Sequence, residues 1–406
     1  MKLPSYLAAV AVITGAMASP HPALQQQPLG GPSSPSLPSY SQAQLNNIIN
    51  DSPLLSLHRR LVEIESISGN ENKIGLDIKL FLESHNFTVV EQEVPPVKGQ
   101  EKNRERLNIY AVPKSLTLPP TILLTSHIDT VPPFIPYSVH QDDSTRDPED
   151  LVISGRGSVD AKGSVAAQVF AALETLAENP TASIGLLFVV GEEIAALVAG
   201  HKGMLGFQVL AHGSAAHSGY PWLGKSAVSA ILPALARVDI LGDIPAEEGG
   251  LPASPKYGPT TLNIGKIRAG VATNVVPSEA MADVAVRLAE GTPSEAREII
   301  RHAVEDATRD VEAEVVVDFT SHQESYPPQD LDYDVDGFDV TTVNYGTDVP
   351  NLKVRPGTKR YLYGPGSIFV AHGDNEALTV RQIKEAVVGY KKLIQAAMER
   401  EEGSAV

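Results

Sequence analysis

The sequence predicts an α/β protein in which a mixed sheet, covered by helices, is interrupted by an inserted ferredoxin-like βαββαβ domain. In the first half of the chain, continuous apolar runs typical of buried strands alternate with helical segments, as in sheets covered on both faces. From residue 201 the order of the elements changes to βαββαβ, and after residue 320 the α/β pattern returns. The second domain is therefore predicted to lie within the first, over residues 201–320.

Length and composition bound the classes of protein to consider. A chain of 406 residues with 42% hydrophobic residues can form two domains with large cores. Its net charge of -17, with no basic stretch, argues against nucleic acid and anionic membranes as partners. The sequence has no cysteine, which excludes disulfides and thiolate ligands, so any metal must be held by His and carboxylate side chains.

Residues 1–18 are predicted to be a secretory signal peptide, which implies a secreted, extracellular protein. Lys2 precedes an apolar run over 7–16, and a small-x-small cleavage signature ends at Ala18. This run is too short to span a bilayer, and no later apolar stretch reaches the length required. Residues 19–43 are rich in Pro, Gln, Ser and Gly, which predicts a disordered leader.

Residues 44–200 are predicted to form the first part of the larger domain. Apolar residues at helical spacing predict helices over 44–64, 72–85 and 163–178, and buried-type runs predict strands over 88–94, 107–112, 121–126 and 183–190. Asn86, in the sequon Asn86-Phe87-Thr88, is a candidate N-glycosylation site, the alternative being an unmodified surface residue.

A second set of elements predicts the inserted domain and the end of the chain. Strands over 202–212, 260–267, 279–288 and 315–319 and helices over 225–238 and 294–309 give the βαββαβ order. Residues 321–406 are predicted to complete the first domain, with a strand over 367–371 and a closing helix from Thr379. Thr379 and Gln382 predict a capping box at the start of that helix.

Polar residues that could perform chemistry cluster at the ends of predicted strands. His127 directly follows the strand 121–126, and ligand sites in open α/β sheets lie beyond the carboxyl ends of the strands. Asp129 could accept the other imidazole proton and orient the ring for metal binding. A hydrogen-bonded turn histidine is the alternative interpretation of this pair.

Carboxylates supply the remaining candidates in the first domain. Asp160 precedes the helix that begins near Lys162, where its alternative role is that of an N-cap. Glu192 and Glu193 follow the strand that ends at Val190, and two adjacent carboxylates are costly unless a metal or a proton neutralises one. One glutamate could bind a metal while its neighbour acts as general base toward bound water.

Five motifs together resemble one known family. They are His127-x-Asp129, Gly157-x-x-Asp160-x-Lys162-Gly163, Gly191-Glu192-Glu193, Ala216-His217-Ser218-Gly219 and Ala371-His372. In this order, with a βαββαβ domain inserted before the last histidine, they are similar to the dizinc metallopeptidase family that includes glutamate carboxypeptidase, succinyl-diaminopimelate desuccinylase, Gly-X carboxypeptidase and aminoacylase. The resemblance covers residues 54–398 and implies the fold of that family.

The resemblance also implies a set of zinc ligands. Asp160 would bridge two zinc ions, with a cis peptide bond to Ala161. Glu193 and His372 would complete one of the two metal sites. His127 would serve the other site.

Catalytic and substrate-binding roles follow from the same resemblance. Glu192 would be the general base, Asp129 would orient the metal-binding histidine, and His217 would stabilise the tetrahedral oxyanion, in this family often across a dimer interface. Asn274 and Arg287 would hold the carboxylate or carbonyl of the substrate. Taken without the family, His217 could be a loop residue and Arg287 a surface salt-bridge partner. The inserted domain allows a homodimer.

One departure from the family concerns the segment that follows Glu193. Family members place a helix and a strand there, and the strand ends in a carboxylate that completes the His127 metal site. Here only residues 194–200 are available, and the sequence has no Asp or Glu between Glu193 and Asp239. We therefore expect exposed apolar sheet edges and at most one tightly bound zinc, unless a carboxylate such as Asp374 or Glu376 is recruited.

Three explanations of the missing segment remain open: misjudged exon boundaries or alternative splicing, an inactive paralogue, and a one-metal enzyme. The expected function is that of a secreted zinc metallopeptidase that hydrolyses C-terminal peptide or N-acyl amino-acid amide bonds. The alternative is a non-catalytic secreted protein with the same fold. No motif separates carboxypeptidase from aminoacylase or dipeptidase specificity, but secretion favours peptide scavenging and hence a carboxypeptidase.

Overall fold

The computed structural model describes residues 11–15, 40–94, 106–142, 144–190, 198–321, 325–344, 349–351, 354–367 and 370–404. The chain divides into two compact units. The sheet unit comprises Met1–Ala199, Leu331–Thr341 and Thr347–Val406, and the inserted unit comprises Gly200–Asp330 and Thr342–Gly346. The predicted fold class, a helix-covered mixed sheet with an inserted ferredoxin-like domain, is confirmed. Among the helices of the described residues, none combines the length and hydrophobicity that a bilayer span requires.

The elements of the sheet unit surround one mixed sheet. The helices are α1 (Gln42–Asn50), α2 (Pro53–Glu63), α3 (Asn72–Ser84), α4 (Lys162–Glu178) and, at the end of the chain, α7 (Val380–Ser404). The strands are β1 (Ala11–Gly15), β2 (Phe87–Val94), β3 (Arg106–Pro113), β4 (Ile122–His127), β5 (Ser138–His140), β6 (Val152–Ser154), β7 (Ile184–Val189), β15 (Lys359–Tyr363) and β16 (Ala377–Thr379). The main sheet has the strand order β15-β1-β4-β7-β3-β2, and a small sheet has the order β16-β6-β5.

Strand β4 and helix α4 form the centre of the sheet unit. Every residue of β4 is buried, as its continuous apolar run predicts, and β4 pairs in parallel with β7. Helix α4 is rich in Ala and Val, and it packs against α2, α7 and β4. The end of β4 and the loop that leads into α4 are therefore held by the most buried elements of this unit.

Strand β1 lies inside the main sheet, in parallel between β4 and β15. Ala11–Thr14 pair with Ile122–Thr125, and Ala11–Gly15 pair with Lys359–Tyr363. The expectation of an exposed edge where a strand is missing is wrong for β4, because β1 covers one of its edges and β7 the other. The covering segment comes from the predicted signal peptide, whose remaining residues lie outside the described part of the chain.

The inserted unit has the arrangement that the βαββαβ order predicts. Its main elements are β9 (Gly203–His212), α5 (Ala227–Ile240), β10 (Thr261–Ala269), β11 (Glu279–Leu288), α6 (Pro293–Ala307) and β12 (Glu314–Asp318). They form an antiparallel sheet of order β10-β11-β9-β12, the order of a ferredoxin-like layer. Alternate residues of β9 and β11 are buried, and they pack with α5 and α6 in one apolar core. The short strands β8 (Val198–His201), β13 (Gln329–Asp330) and β14 (Thr341–Val343) form a further sheet.

The C-terminal part of the chain differs from the prediction at one strand. The described residues of the predicted strand 367–371, namely Ser367, Val370 and Ala371, are not in a strand. The sheet strand is β15 instead, a five-residue segment with two basic residues that lacks the apolar run of a buried strand. The capping box at the start of α7 is confirmed, since Thr379 N donates to Gln382 Oε1 and Gln382 N donates to Thr379 Oγ1.

Candidate metal-binding active site

The end of β4 and the loop before α4 bring His127 and Asp160 together. Nε2 of His127 lies 3.1 Å from Oδ1 of Asp160, and both side chains are buried. His127 is the last residue of β4, and Asp160 stands two residues before α4. The peptide bond from Asp160 to Ala161 is cis, as the resemblance implies. The sheet therefore places an imidazole and a carboxylate side by side at the carboxyl end of its central strand.

His372 lies on the other oxygen of the same carboxylate. Its Nε2 is 3.5 Å from Oδ2 of Asp160, and its side chain is half-exposed. Oδ2 is buried, and its contact with His372 is longer than an ordinary hydrogen bond. His372 also has a φ of 62°, a left-handed conformation that is costly for a residue with a Cβ. Asp160 thus has one imidazole beside each of its oxygens.

This arrangement fits a carboxylate that bridges two metal ions. Tetrahedral zinc binds imidazole nitrogen and carboxylate oxygen at about 2.0–2.2 Å, which separates two neighbouring ligand atoms by roughly 3.4 Å. The observed N–O distances of 3.1 and 3.5 Å lie on either side of that value. Among the described residues no three His, Asp or Glu side chains form a metal-binding group, so each ion would need a further ligand. The predicted ligand Glu193 and the predicted base Glu192 lie outside the described residues.

Asp129 holds the ring of His127 from the opposite side. Nδ1 of His127 lies 3.1 Å from the backbone oxygen of Asp129 and 3.6 Å from its Oδ1. Ser68 Oγ in turn donates to Oδ2 of Asp129 at 2.7 Å. Nδ1 faces two acceptors, so it would keep its proton when the imidazole is neutral, and Nε2, which faces Asp160, would be the nitrogen for a metal.

The charges of Asp160 and of the histidines beside it change one another's pKa values. Burial opposes ionisation of Asp160, but hydrogen bonds and the charges of His127 and His372 outweigh burial and lower its pKa to about 2. Burial also opposes protonation of His127, but Asp129 and Asp160 raise its pKa well above the ordinary value. A metal ligand must be a neutral imidazole, so metal binding at His127 is coupled to proton release.

A buried ion pair that no sequence motif indicates lies behind the Asp160 loop. Arg156 Nη1 lies 2.8 Å from Glu376 Oε2, and both side chains are buried. Glu376 Oε1 accepts hydrogen bonds from the backbone amides of Gly157, Val159 and Asp160. Because both of its carboxylate oxygens are already hydrogen-bonded, Glu376 is not available as a replacement metal ligand.

Asp374, the other carboxylate considered as a replacement ligand, is exposed and lies two positions after His372 in the sequence.

Two buried side chains, Lys162 and His58, connect the region of Asp160 to the segment of α2. Lys162 Nζ donates to the backbone oxygen of Ile64 at 2.7 Å, and burial lowers the pKa of Lys162 to about 7. His58, on α2, hydrogen-bonds the backbone oxygen of Ser158.

In the inserted unit, His217 and Asn274 are neighbours. Asn274 is exposed, and its backbone oxygen accepts a hydrogen bond from Ser218 N at 3.0 Å. His217 is also exposed, and its Nδ1 accepts a hydrogen bond from the backbone amide of Gly219 at 3.0 Å. This contact places the ring proton on Nε2, so His217 presents a donor to solvent.

Arg287 lies at the other end of the same sheet. It stands near the end of β11, half-buried, opposite Thr261 of β10. Eight residues of extended strand separate it from the start of β11, which corresponds to about 27 Å. His217 and Asn274 lie beyond that start, because the amide of Gly213 pairs with Ser278 and the segments around 217 and 275 pair with each other. The inserted unit therefore keeps Arg287 apart from the His217–Asn274 pair.

The candidate glycosylation residue Asn86 is exposed. It lies between α3 and β2, and its φ is 63°. Its backbone oxygen accepts a hydrogen bond from Lys114 N at 2.9 Å. The side chain is therefore accessible from solvent, as either interpretation of the sequon requires.

Comparison with known proteins identifies similar chains. Residues 199–315 match the M20 family described as "Peptidase dimerisation domain". A protein of Aspergillus flavus named "Probable carboxypeptidase" is 59% identical over 420 positions, which cover 94% of this chain and 96% of the relative. A metallo-carboxypeptidase of the M20 family from Sulfolobus solfataricus has a similar structure, with a TM-score of 0.60 and 14% identity over 85% of this chain and 99% of that chain.

A second solved structure carries information on metal. The YXEP protein of Bacillus subtilis, described as a dinuclear metal-binding peptidase of the M20 family, matches with a TM-score of 0.54. Its identity is 14%, and the match covers 87% of this chain and 99% of that chain. At such identities the two structural matches show a shared fold.

The alignment with the Aspergillus flavus protein also bears on the missing segment. It has 420 positions although it uses only 94% of a chain of 406 residues. The relative must therefore contain several tens of residues that have no counterpart here.

Proposed function

The chain belongs to the M20 metallopeptidase family, and on that premise we propose that it is a secreted zinc-dependent carboxypeptidase. Its substrates would be peptides or N-acyl amino acids, with cleavage of the C-terminal amide bond. The observation that supports metal-dependent hydrolysis most directly is the Asp160 carboxylate with an imidazole beside each oxygen. The choice of carboxypeptidase over aminoacylase rests on the name of the Aspergillus flavus relative.

In the proposed mechanism each site residue has one task. Asp160, His127, His372 and Glu193 would hold zinc, which lowers the pKa of a water and polarises the scissile carbonyl. Glu192 would take a proton from that water and deliver it to the leaving amine. His217 would donate its Nε2 proton to the developing oxyanion, in keeping with the tautomer that Gly219 fixes.

Substrate binding in this proposal needs two copies of the chain. Asn274 and Arg287 would hold the substrate carboxylate or carbonyl, yet the inserted unit keeps Arg287 far from Asn274 and His217. A homodimer, consistent with the match to a dimerisation domain, would let one chain supply Arg287 and its partner supply His217. Secretion and N-glycosylation at Asn86 belong to the proposal on sequence grounds alone.

A second candidate function is that of a non-catalytic secreted protein with the same fold. The several tens of residues that the Aspergillus flavus relative has in addition favour it, because the family places a zinc ligand in the segment that is missing here. The His127 site would then hold zinc weakly, and at most one zinc per chain would be bound tightly.

Zinc content and turnover of the purified 406-residue chain decide between the two functions. The carboxypeptidase proposal expects hydrolysis of N-acyl amino acids or dipeptides that a chelator abolishes and added zinc restores. The binding-protein alternative expects no chelator-sensitive hydrolysis with any substrate. A matched chain with the missing segment restored from the Aspergillus flavus relative serves as control. If the restored segment raises both zinc content and turnover, the absence of that segment explains any low zinc content or low turnover of the 406-residue chain. If it raises neither, the non-catalytic function is favoured.

A further inference from the structure

One buried ion pair ties together the two segments that carry Asp160 and His372. We call the pair Arg156–Glu376 the clasp. Its atoms Nη1 and Oε2 lie 2.8 Å apart, and each side chain is only 1% exposed. Two charges removed from water in this way are costly unless their remaining donors and acceptors are also satisfied. The groups that bond to the remaining donors and acceptors of the clasp therefore show which segments the clasp holds.

The partners of Glu376 are the backbone groups of the Asp160 loop. Its Oε1 accepts hydrogen bonds from the amides of Gly157, Val159 and Asp160, at 3.0, 3.1 and 3.1 Å. Its backbone oxygen accepts two more, from the amide of Gly155 and from Ser158 Oγ. Five contacts from one residue thus fix the path of the loop up to the amide of Asp160 itself.

The partners of Arg156 are the backbone oxygens beside His372. Arg156 Nη2 donates to the backbone oxygen of His372 at 3.3 Å, and Nη1 donates to that of Gly373 at 3.2 Å. Its Nε donates to the backbone oxygen of Pro133 at 3.2 Å. A guanidinium that belongs to the Asp160 loop thus holds the backbone of His372, whose left-handed φ is unfavourable without such support.

We infer that Arg156 and Glu376 are positioning residues that set the separation of Asp160 and His372, and with it the affinity of this pair for a divalent metal ion. The inference rests on the proposed metal-dependent function. The carboxylate of Glu376 holds the segment of Asp160, and the guanidinium of Arg156 holds the segment of His372. Neither side chain would touch the metal or the substrate.

The same unit contains a matched ion pair that serves as control. Arg106 Nη2 lies 2.7 Å from Glu71 Oε1, and both side chains are buried. The carboxylate of Glu71 accepts hydrogen bonds from Arg106 and from the amide of Gly69, and neither donor belongs to the Asp160 loop or to the His372 segment. Loss of either pair should lower stability, because one charge remains buried without its partner. Only loss of the clasp should release the Asp160 loop and the His372 segment.

The test compares Glu376→Gln with Glu71→Gln in the full chain. Zinc affinity is measured by competition with a chromophoric chelator, and hydrogen exchange is followed at the amides of Gly157, Val159 and Asp160. We expect Glu376→Gln to weaken zinc binding by about 10–100-fold, the usual effect of losing a group that orients metal ligands. We also expect the three amides to lose protection in Glu376→Gln and to keep it in Glu71→Gln.

Two results would overturn the inference: a zinc affinity in Glu376→Gln equal to that of the wild-type chain, or full protection of the three amides in Glu376→Gln. If the wild-type chain binds no zinc, the proposed function fails, and the amides alone decide whether the clasp holds the loop. Should Glu376→Gln fail to fold, Arg156→Lys keeps the charge but loses the fork that reaches Gly373 and His372. Weaker zinc binding by that variant supports the inference, and unchanged binding contradicts it.

Discussion

Nε2 of His58 donates a hydrogen bond of 2.8 Å to the backbone oxygen of Ser158, and both residues are fully buried. Burial lowers the pKa of His58 to about 4. In the unfolded chain the imidazole titrates near its ordinary value of about 6.5. Between these values the unfolded chain binds more protons than the folded chain, so the free energy of unfolding falls as the pH falls.

The first prediction is therefore a loss of stability in acid that depends on His58. The contribution is fully present above about pH 6.5 and lost progressively toward pH 4, with a total of about 3 kcal/mol. Urea unfolding at several pH values should show a smaller loss in His58→Gln than in the wild-type chain. His85→Gln, at an exposed histidine, is the control and should keep the wild-type slope. Equal slopes in His58→Gln and the wild-type chain would refute the prediction.

The second prediction separates the two adjacent glutamates. If Glu192 is the proton shuttle, Glu192→Gln should lower turnover by about two to four decades, because that is the usual contribution of a general base, and should leave the zinc content unchanged. If Glu193 is a ligand, Glu193→Gln should lose zinc. Elemental analysis and turnover of both variants provide the measurement. Equal loss of zinc in the two variants would contradict this division of roles.

The third prediction concerns His217. His217→Ala should lower kcat by about two to three decades with zinc retained, because a donor to the oxyanion is lost. His212→Ala, at another exposed histidine of the inserted unit, should leave kcat unchanged. If the site is shared between two chains, mixing His217→Ala with Arg287→Ala should restore part of the activity, since one mixed site per dimer keeps both residues. A normal kcat in His217→Ala would return this histidine to the role of a loop residue.

The fourth prediction concerns strand β1. Ile13 pairs with Leu124 on one side and with Tyr361 on the other. Proline cannot donate to a ladder, so Ile13→Pro should lower the free energy of unfolding by about 1–3 kcal/mol, the cost of a buried group left without its partner. Leu7→Pro, which precedes β1 in the sequence, is the control. Equal unfolding curves for the two variants, measured on chains whose N-terminus has been verified by mass spectrometry, would remove β1 from the folded sheet.

Sequence patterns predicted the elements that depend on local composition. Strand β4 was predicted because a strand that is buried on both faces has a continuous apolar run in its sequence. The order of strands and helices in the inserted unit was predicted from the periodicity of its apolar residues. Strand β15 escaped prediction because a five-residue edge strand with two basic residues has no distinctive pattern. Strand β1 escaped because its apolar residues were interpreted as part of an export signal.

The same distinction applies to the residues of the candidate site: those in sequence motifs were predicted, and those joined only by tertiary contacts were not. His127, Asp160 and His372 were identified because each lies in a motif, and the structure brings the three side chains together. The clasp was not identified, since Arg156 and Glu376 are 220 positions apart and neither has a local feature that indicates its partner. Contacts of this kind depend on tertiary structure, which local patterns do not encode.

If the chain is exported as proposed, the position of β1 makes export and folding competing processes for the same residues. A signal peptidase that cleaved after Ala18 would remove Ala11–Gly15 and leave β4 and β15 without the strand that joins them. A chain that folded before cleavage would instead hold these residues inside a sheet, where neither the translocation machinery nor the peptidase could reach them. On the proposal of secretion, the cleaved and the uncleaved chain would therefore differ in the main sheet, since only the uncleaved chain keeps β1.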